Sequence, residues 1–411
     1  MSAENLSTTS ATPSEKGVVI IGAGLAGWHV IDAIRAKDTD IPITLITADS
    51  GDRYHKPMLT MAISQNKRAS DLVRASGVEA AAAANVTLFA HTQVTDIDPQ
   101  AQTVQLHATA QTDEPTTISY QKMVLAMGAH PIFPKSLPQD VVWHVNHIER
   151  FGQLQEKLAV GSQHVAIVGA GMVGTEIAED LLKAGHEVTL IDLNDAPLSQ
   201  MLPAKATTRI AKAIESQGIE FLGGYQVSSV TRVDDSDDSK LKVEYVPLAS
   251  AEVSKTEQPT NSLIVDHVIA SAGLMVDDQL PTAAGVDFDR RTGIVVDAAT
   301  LRTNTDSIYA IGDCMSIDGI ACRYVAPLRA QAATIADDIL GHEHSGYEHK
   351  PPMIRLKNKA ISVMVTGVPQ ANGNWQVKTE SDDELIMDLL NDEGSVSATV
   401  TIKAPAVPKA S

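Results

Sequence analysis

Two glycine-rich segments of the chain have a spacing that suits the binding of an anion. The first fingerprint consists of Gly22, Ala23, Gly24, Leu25, Ala26 and Gly27. The second fingerprint consists of Gly169, Ala170, Gly171, Met172, Val173 and Gly174, and it begins 147 residues after the first. In a G-x-G-x-x-G pattern the first glycine permits a tight turn, the second admits a pyrophosphate to backbone N–H groups, and the third allows close helix packing. Each fingerprint therefore predicts a dinucleotide site.

The acid that follows the second fingerprint indicates which nucleotide binds there. Asp192 ends the next strand-like run, where a carboxylate accepts a hydrogen bond from the 2′-hydroxyl of an adenosine ribose. A carboxylate at this position also repels a 2′-phosphate, and residues 193–195 hold no arginine that could bind one. The second fingerprint therefore favours NADH over NADPH. The alternative is that Asp192 is an ordinary loop carboxylate.

The first fingerprint lacks an acid at the equivalent position, which holds Thr47. Either Asp49 replaces it, or backbone groups of Thr47 and Ala48 hold the adenosine. Two nucleotide sites in one chain suggest FAD together with a nicotinamide nucleotide. The chemistry that joins these two groups is hydride transfer.

The hydrophobic pattern predicts the elements that must position both fingerprints. Around the first we expect a strand at Val18–Ile21, a helix from about Leu25 and a strand at Ile43–Thr47. Around the second the same order recurs, with Val165–Val168, a helix from about Met172, and Val188–Asp192. This alternation is typical of an α/β fold with parallel sheets. Alternating segments between about 227 and 265 predict hairpins, one of them with an aspartate-rich tip at 234–238.

Composition excludes several classes of function. The 411 residues suffice for two or three domains, and the net charge of −19 disfavours nucleic-acid binding and adsorption to anionic lipid. Residues 1–16 resemble neither a signal peptide nor a folded segment, so we expect a disordered tail there and a cytoplasmic location. The two cysteines, Cys314 and Cys322, form neither a C-x-x-C pair nor a four-cysteine metal site, and we expect no metal.

A third segment makes the resemblance to a known family specific. Residues 301–313, which end in Ala310-Ile-Gly-Asp313, resemble the second flavin fingerprint of flavoproteins with two dinucleotide-binding domains. In that family the aspartate binds the ribityl chain of FAD. The segments that end at Gly128-Ala-His-Pro131 and Gly273 resemble the family's crossover strands.

The resemblance implies a glutathione-reductase-like fold with two Rossmann-like domains. It places an FAD-binding domain at residues 17–137 and 274–347 and an NAD-binding domain at 138–273. From about Lys350 the sequence alternates strand-like runs such as Ile361–Val365 with Pro and Gly breaks, so we interpret residues 348–411 as a small C-terminal α+β cap domain.

Within this family the chain is most similar to the rubredoxin reductases. Residues 56–62, where other members carry a redox cysteine, contain none, and Tyr54-His-Lys56-Pro57-Met-Leu59 resembles the rubredoxin reductase branch. The resemblance places Lys56 beside the flavin N5, with Glu176 as its ion-pair partner, and makes these two residues the catalytic candidates. Electrons would then leave directly from the flavin, without a thiol relay.

The resemblance also assigns further flavin contacts. Lys357 matches a second flavin-contacting lysine, and the backbone of Val94 would meet the adenine. Val325 would begin a helix whose N-terminus faces the pyrimidine end of the flavin, where it and Lys357 offset negative charge. The chain departs from the family after Lys357, since Asn358-Lys359 stands where Thr-Pro is usual.

We therefore expect an FAD-dependent NADH reductase that passes single electrons to rubredoxin. One alternative is an NADH:ferredoxin reductase of an oxygenase system, and another is a non-catalytic flavoprotein that senses NADH. Because rubredoxins are acidic, we expect basic residues near the flavin to form a docking collar on the acidic body. The proposed collar consists of Arg53, Lys56, Lys67, Arg68, Arg74, Arg323, Arg329, Arg355, Lys357 and Lys359.

Overall fold

The computed structural model describes residues 16–108, 116–234, 240–248, 260–350 and 353–404. The chain divides into two compact units. The first unit comprises Met1–Tyr54, Arg74–Ala129 and Val276–His349, and the second comprises His55–Val73, His130–Met275 and Lys350–Ser411. Residues 55–73, which lie within the FAD-binding domain expected from sequence, group with the second unit, and so do residues 350–411. The bounds of the two units therefore differ from the expected domain boundaries.

A seven-stranded sheet forms the centre of the first unit. Its strands are Gly17–Ile21, Ile43–Ile46, Thr87–Phe89, Thr92–Asp98, Thr103–Ala108, Thr116–Leu125 and Ile308–Ala310. Gly17–Ile21 pairs in parallel with Ile43–Ile46 on one side and with Thr116–Leu125 on the other. All five of its residues are buried, which explains the uninterrupted apolar sequence of this central strand.

Helices and a smaller sheet complete the first unit. The helices are Leu25–Arg35, Gly77–Ala83, Gln279–Ala283 and Leu328–Leu340, with a 3-10 turn at Gly312–Cys314. The small sheet contains Phe288–Asp289, Gly293–Val295, Met315–Ile317 and Ile320–Ala321. Two further short strands of the chain are Arg53–Tyr54 and Val73–Ala75.

The second unit contains a four-stranded parallel sheet. In spatial order its strands are Glu220–Gly223, Glu187–Asp192, His164–Val168 and His267–Ala270. Its helices are Ile148–Leu158, Met172–Lys183, Ala204–Glu215 and the short Ala69–Leu72, with a 3-10 helix at Lys56–Met61. His130–Pro131 and Leu274–Met275 form a two-stranded antiparallel sheet.

The expected hairpins also lie in the second unit. Tyr225–Arg232, Leu241–Pro247 and Asn261–Val265 form an antiparallel sheet, which confirms the prediction for residues 227–265. The aspartate-rich tip falls outside the described residues from 235 onward. Residues 1–15 of the expected tail lie outside them as well.

The C-terminal segment differs from the expected α+β domain. Its described residues, 353–404, form five antiparallel strands without a helix. The strands are Met353–Arg355, Ser362–Gly367, Asn374–Glu380, Glu384–Leu390 and Val396–Lys403. Leu385, Met387 and Leu389 are buried and their neighbours are not, so the side chains alternate with the period of a strand. The described residues of the C-terminal domain therefore form a sheet, without the helical part of the expected α+β arrangement.

Candidate functional site

The first fingerprint folds as a strand, a tight turn and a helix. Gly22 has φ +106°, and a Cβ there would lie 2.3 Å from the carbonyl oxygen of Ala126. A Cβ on Gly27 would lie 2.0 Å from the carbonyl oxygen of Gly22, because the helix crosses the turn closely. At Gly24 a Cβ would meet nothing within 4 Å, so the backbone is open to an approaching group. The three glycines thus have the three separate tasks that dinucleotide binding requires.

The second fingerprint repeats this geometry in the second unit. Gly169 has φ +111°, and a Cβ there would lie 2.2 Å from the carbonyl oxygen of Ser271. A Cβ on Gly174 would lie 1.9 Å from the carbonyl oxygen of Gly169, whereas Gly171 faces open space. The helices Leu25–Arg35 and Met172–Lys183 both begin without a side-chain cap, so their first N–H groups point into the open loops. Both loops fit a pyrophosphate.

Asp192 lies at the end of its strand, beside the second fingerprint, as expected. Its carboxylate accepts hydrogen bonds from the backbone N–H of Ala170, from that of Asn194 at 2.7 Å and from the Asn194 side-chain amide at 2.8 Å. A carboxylate can accept about four hydrogen bonds, so these three leave room for a ribose hydroxyl. Asp192 therefore both braces the loop and remains able to bind an adenosine.

The corresponding end of the first fingerprint is built differently. The Thr47 hydroxyl donates to Asp49 at 2.6 Å, and the Gly51 N–H donates to the same carboxylate oxygen at 2.9 Å. The Thr47 N–H donates to Phe89, and its carbonyl accepts from Thr92. Since the backbone of Thr47 is already used within the sheet, Ala48 and Asp49 are the better candidates for holding an adenosine.

The remaining flavin candidates of the first unit lie on strands and turns. Val94 is buried in the strand Thr92–Asp98. Gly128 has φ +69°, and a Cβ there would meet nothing within 4 Å. Asp313 lies in the turn after the strand Ile308–Ala310, and its carboxylate accepts no hydrogen bond from the described part of the chain. Such a half-buried carboxylate suits a polar ligand.

The helix expected to begin at Val325 begins three residues later, at Leu328. The Val325 carbonyl accepts from the Leu328 N–H at 3.1 Å, and the first helical bond runs from Gln331 to Pro327. Proline lacks an N–H and disfavours helical geometry in the residue before it, which explains the delayed start. Val325 therefore lies in the turn that precedes the helix.

In the second unit, Lys56 and Pro57 open the 3-10 helix Lys56–Met61. Gly273 has φ +101°, and its carbonyl accepts from the Ile132 N–H at 3.0 Å.

Glu176 has a different ion-pair partner from the one expected. The carboxylate is 5% exposed and accepts hydrogen bonds from the Thr60 hydroxyl at 2.7 Å and from the Lys357 N–H at 3.0 Å. The Lys357 ammonium forms its ion pair. The expected Lys56–Glu176 pair is therefore replaced by Lys357–Glu176, because Lys357 reaches the acid with both its backbone and its side chain.

Two further buried acids lie beside Glu176, and the sequence reasoning did not single them out. Glu179 and Asp180, on the same helix face as Glu176, are 4% and 5% exposed. Burial raises the pKa of Asp180, against the opposing effect of hydrogen bonds from Ser64 and Ile63. Burial also acts to raise the pKa of Glu179, but Lys183 and the segment 358–360 outweigh it, and the pKa is lowered. The available signal was the spacing of three acids at i, i+3 and i+4 within an apolar helix.

These acids line a cavity of ≈30 Å³ together with Thr60, Ser64 and Lys357. This volume holds about one water molecule and excludes a nucleotide. Asn358 also lines the cavity, and its side-chain oxygen is buried without a hydrogen-bond partner among the described residues.

Both cysteines of the chain are buried and unpaired. Burial raises the pKa of Cys314 to about 11, and its thiol donates to the Leu125 carbonyl at 3.2 Å. Burial also raises the pKa of Cys322. Since the thiolate is the reactive form, neither sulfur is suited to carry electrons.

The described residues contain no group of three or more His, Cys, Asp or Glu side chains arranged to hold a metal ion. No helix among them is long and apolar enough to cross a membrane.

Comparison with known proteins identifies the family. Residues 16–335 match the family model described as "Pyridine nucleotide-disulphide oxidoreductase", and the chain belongs to this family. A relative from Shigella sonnei (strain Ss046), "Nitric oxide reductase FlRd-NAD(+) reductase", is 32% identical over 365 residues, which cover 89% of each chain. The protein is thus a flavoprotein oxidoreductase, and members of its family bind FAD and a pyridine nucleotide.

Two solved structures share the fold. The covalent putidaredoxin reductase-putidaredoxin complex matches with a TM-score of 0.80 and 24% identity, covering 95% of this chain and 90% of that one. NADH:rubredoxin oxidoreductase from Clostridium acetobutylicum matches with a TM-score of 0.73 and 20% identity, covering 94% and 91%.

Proposed function

We propose that the protein takes a hydride from NADH on FAD and passes single electrons to a rubredoxin-type iron protein. The name of the 32% identical relative, a reductase of FlRd, supports this choice of partner. The shared fold with an NADH:rubredoxin oxidoreductase is consistent with it.

The observation that carries the proposal is the state of the two cysteines. The family is named for disulphide chemistry, yet both sulfurs of this chain are buried, and burial raises the pKa of each thiol. Electrons therefore have no route through a thiol and must pass to the acceptor directly. This favours an iron protein, which takes one electron at a time, over a disulfide substrate.

The first unit would hold FAD. The pyrophosphate would lie on Gly24 and the N-terminus of Leu25–Arg35, the adenosine near Ala48, Asp49 and Val94, and the ribityl chain on Asp313. Gly128 and the turn at Val325 would line the same cofactor. When bound, FAD supplies the chemistry, since its ring accepts a hydride and releases electrons singly.

The second unit would hold NADH. Gly171 and the start of the helix Met172–Lys183 would bind the pyrophosphate, and Asp192 the adenosine ribose. Because Asp192 would repel a 2′-phosphate, we infer a preference for NADH. Lys56 would orient the nicotinamide.

The test is anaerobic stopped-flow spectroscopy with two carriers. The protein is reduced with NADH and mixed with rubredoxin or with ferredoxin, and flavin reoxidation is followed. We expect reoxidation by rubredoxin to be at least tenfold faster. Faster reoxidation by ferredoxin would identify a ferredoxin reductase, and reoxidation by neither would favour an NADH sensor.

A further inference from the structure

The loop at residues 193–202 holds one peptide of the second fingerprint. The Leu198 N–H donates to the Ala170 carbonyl at 2.9 Å. The Thr175 hydroxyl lies 3.3 Å from the same oxygen, but it lies 2.7 Å from the Gly171 carbonyl and donates its one proton there. Among the described residues, Leu198 is therefore the principal donor to the Ala170 carbonyl.

Holding this carbonyl fixes the orientation of the open glycine of the fingerprint. A trans peptide is planar, and its C=O and N–H point in opposite directions. The Ala170 carbonyl shares its peptide with the Gly171 N–H, so the bond from Leu198 sets where that N–H points. The Ala170 N–H in turn donates to the Asp192 carboxylate. The proposed pyrophosphate and ribose contacts thus meet at Ala170, which the loop holds.

Leu198 adopts a backbone conformation that is unfavourable for leucine. Its φ is +62°, in the left-handed region, where the Cβ comes too close to the following carbonyl oxygen. The N–H groups of Met201 at 2.9 Å and Leu202 at 3.0 Å donate to the Leu198 carbonyl and close a turn there. A glycine would adopt this conformation without strain, so the strain of a leucine has to be offset by contacts of its side chain.

The Leu198 side chain makes these contacts with the C-terminal segment, within the second unit. It is 6% exposed and lines an apolar cavity of ≈10 Å³ together with Met201 and Leu202 of the same loop. Met172, the first residue of the helix that follows the fingerprint, lines it as well. The remaining lining consists of four buried residues of the C-terminal segment, Ile354, Leu356, Val363 and Val365. The C-terminal sheet therefore supports the loop residue that holds the fingerprint.

We propose that Leu198 is a positioning residue for the nucleotide, through which the C-terminal sheet sets the affinity of the second unit for NADH. The inference rests on the proposed function, in which the second fingerprint binds NADH. When Leu198 loses its support, its left-handed backbone relaxes and the bond to Ala170 weakens. The Gly171 N–H is then in place for a smaller fraction of the time, and NADH has to order the loop as it binds, which lowers the affinity.

The experiment compares the FAD-containing wild-type protein with four single variants. Leu198→Ala removes the anchoring side chain but keeps the N–H, and Leu198→Met keeps an apolar side chain of similar volume. Val365→Ala shortens the support from the sheet. Leu389→Ala is the matched control, because Leu389 is buried in the same sheet but lies two strands away from Val365.

Binding of NAD+ to the oxidised protein is measured by isothermal titration calorimetry. We expect L198A to weaken binding about tenfold and V365A about threefold, and L198M and L389A to change it by less than about twofold. In steady-state reduction of ferricyanide by NADH, L198A should raise the KM for NADH by a similar factor. The kcat should stay within about twofold of the wild-type value, because the loop holds the ribose and pyrophosphate contacts and not the nicotinamide.

Amide hydrogen exchange separates positioning from general damage. Exchange at residues 170 and 198 should become faster in L198A and V365A. It should keep the wild-type rate in L389A, although this variant loses at least as much stability towards denaturant as V365A. The double variant L198A/V365A should bind NAD+ no more weakly than L198A alone, because Val365 acts through the Leu198 side chain.

Three results would each refute the inference. They are an unchanged NAD+ affinity in L198A despite faster exchange at residue 198, equal losses of affinity in V365A and L389A, and additive losses in the double variant. If L198A does not fold, V365A and L198M carry the test. A normal affinity in V365A, or a loss of about tenfold in L198M, would then count against Leu198.

The proposed function fails separately, if the wild-type protein is not reduced by NADH. A reducible wild type with a normal NAD+ affinity in L198A refutes only the role of Leu198.

Discussion

The two fingerprints share their glycine geometry but differ in what surrounds it. In both, a Cβ placed on the first or the third glycine would lie within 2.3 Å of a backbone carbonyl oxygen, and a Cβ on the second would face open space. At the ribose end, the second fingerprint has Asp192 bonded to its own loop, whereas the first has Thr47 bonded to Asp49. The glycine geometry therefore predicts a dinucleotide site in each unit, and the residues at the strand ends predict which nucleotide each site prefers.

The helices that follow the fingerprints differ as well. Leu25–Arg35 carries one acid, the exposed Asp32, which pairs with Arg53. The helix Met172–Lys183, which follows the second fingerprint, buries three acids that bind other segments of its unit. The second helix therefore holds two distant segments of its unit, which the first helix does not do through its single acid.

The largest effects are expected from alanine at the third glycines. In G27A the Cβ collides with the carbonyl of Gly22 in the turn. We therefore expect the purified protein to lack FAD, as measured by the loss of its visible flavin absorption. In G174A the same collision should leave FAD in place and abolish reduction by NADH. Overpacking of this kind costs about 1–3 kcal/mol or more.

The second glycines give the matched controls. G24A and G171A place a methyl group in open space, so their thermal unfolding should resemble that of the wild type, while affinity for the respective nucleotide falls. If G171A bound NADH with wild-type affinity, or if G27A retained FAD, the inference that both loops bind their nucleotides through the same glycine geometry would be wrong.

The next effect concerns the ribose ends. D192N should raise the KM for NADH by about tenfold to a hundredfold, because hydrogen bonds to charged groups are worth about 1.5–3 kcal/mol. D192N should also reduce the discrimination against NADPH. D49N should leave the KM for NADH and this discrimination unchanged. Steady-state kinetics with the two nucleotides provide the check, and an unaltered NADH:NADPH ratio in D192N would assign specificity elsewhere.

A smaller effect concerns the acidic carrier. If the proposed collar steers an acidic partner, raising the salt concentration from 0.05 M to 0.5 M, about a threefold shorter screening length, should slow second-order reoxidation several-fold. Reduction by NADH in the same buffers serves as the control. A reoxidation rate that is indifferent to salt would remove the collar from the proposal.

The smallest effect distinguishes the neighbouring acids Glu179 and Asp180. The pKa of Glu179 is lowered in the fold, so its contribution is present above its unfolded pKa and is lost as the pH falls through the folded value. The pKa of Asp180 is raised by burial, so its contribution is lost as the pH rises. As the pH rises towards the unfolded glutamate value of 4.5, E179Q should lose stability relative to the wild type, and as the pH rises above the unfolded aspartate value of 3.8, D180N should gain it. Both changes should be about 1 kcal/mol, measured by denaturant unfolding.

Much of this architecture could be predicted from the sequence because its signals are local. The strand and helix on either side of each fingerprint lie within two residues of the expected positions. The turn glycines were identified because a Cβ is excluded by the backbone itself. Asp192 was identified because its place at a strand end follows from the βαβ unit.

The errors concern contacts between distant segments. Residues 176 and 357 are 181 positions apart, and no local pattern shows that Lys357 rather than Lys56 reaches Glu176. Glu179 and Asp180 were overlooked because charged residues are usually exposed. The C-terminal segment was expected to be a small α+β domain, although the alternation in residues 384–390 already has the period of a strand.

The burial of both cysteines has a practical consequence for labelling. A single cysteine introduced at an exposed site would be the only accessible thiol of the native chain, because Cys314 and Cys322 are sequestered. One such site in each unit would accept a pair of fluorophores without removal of a native residue. The distance between the units could then be followed in solution while the protein turns over.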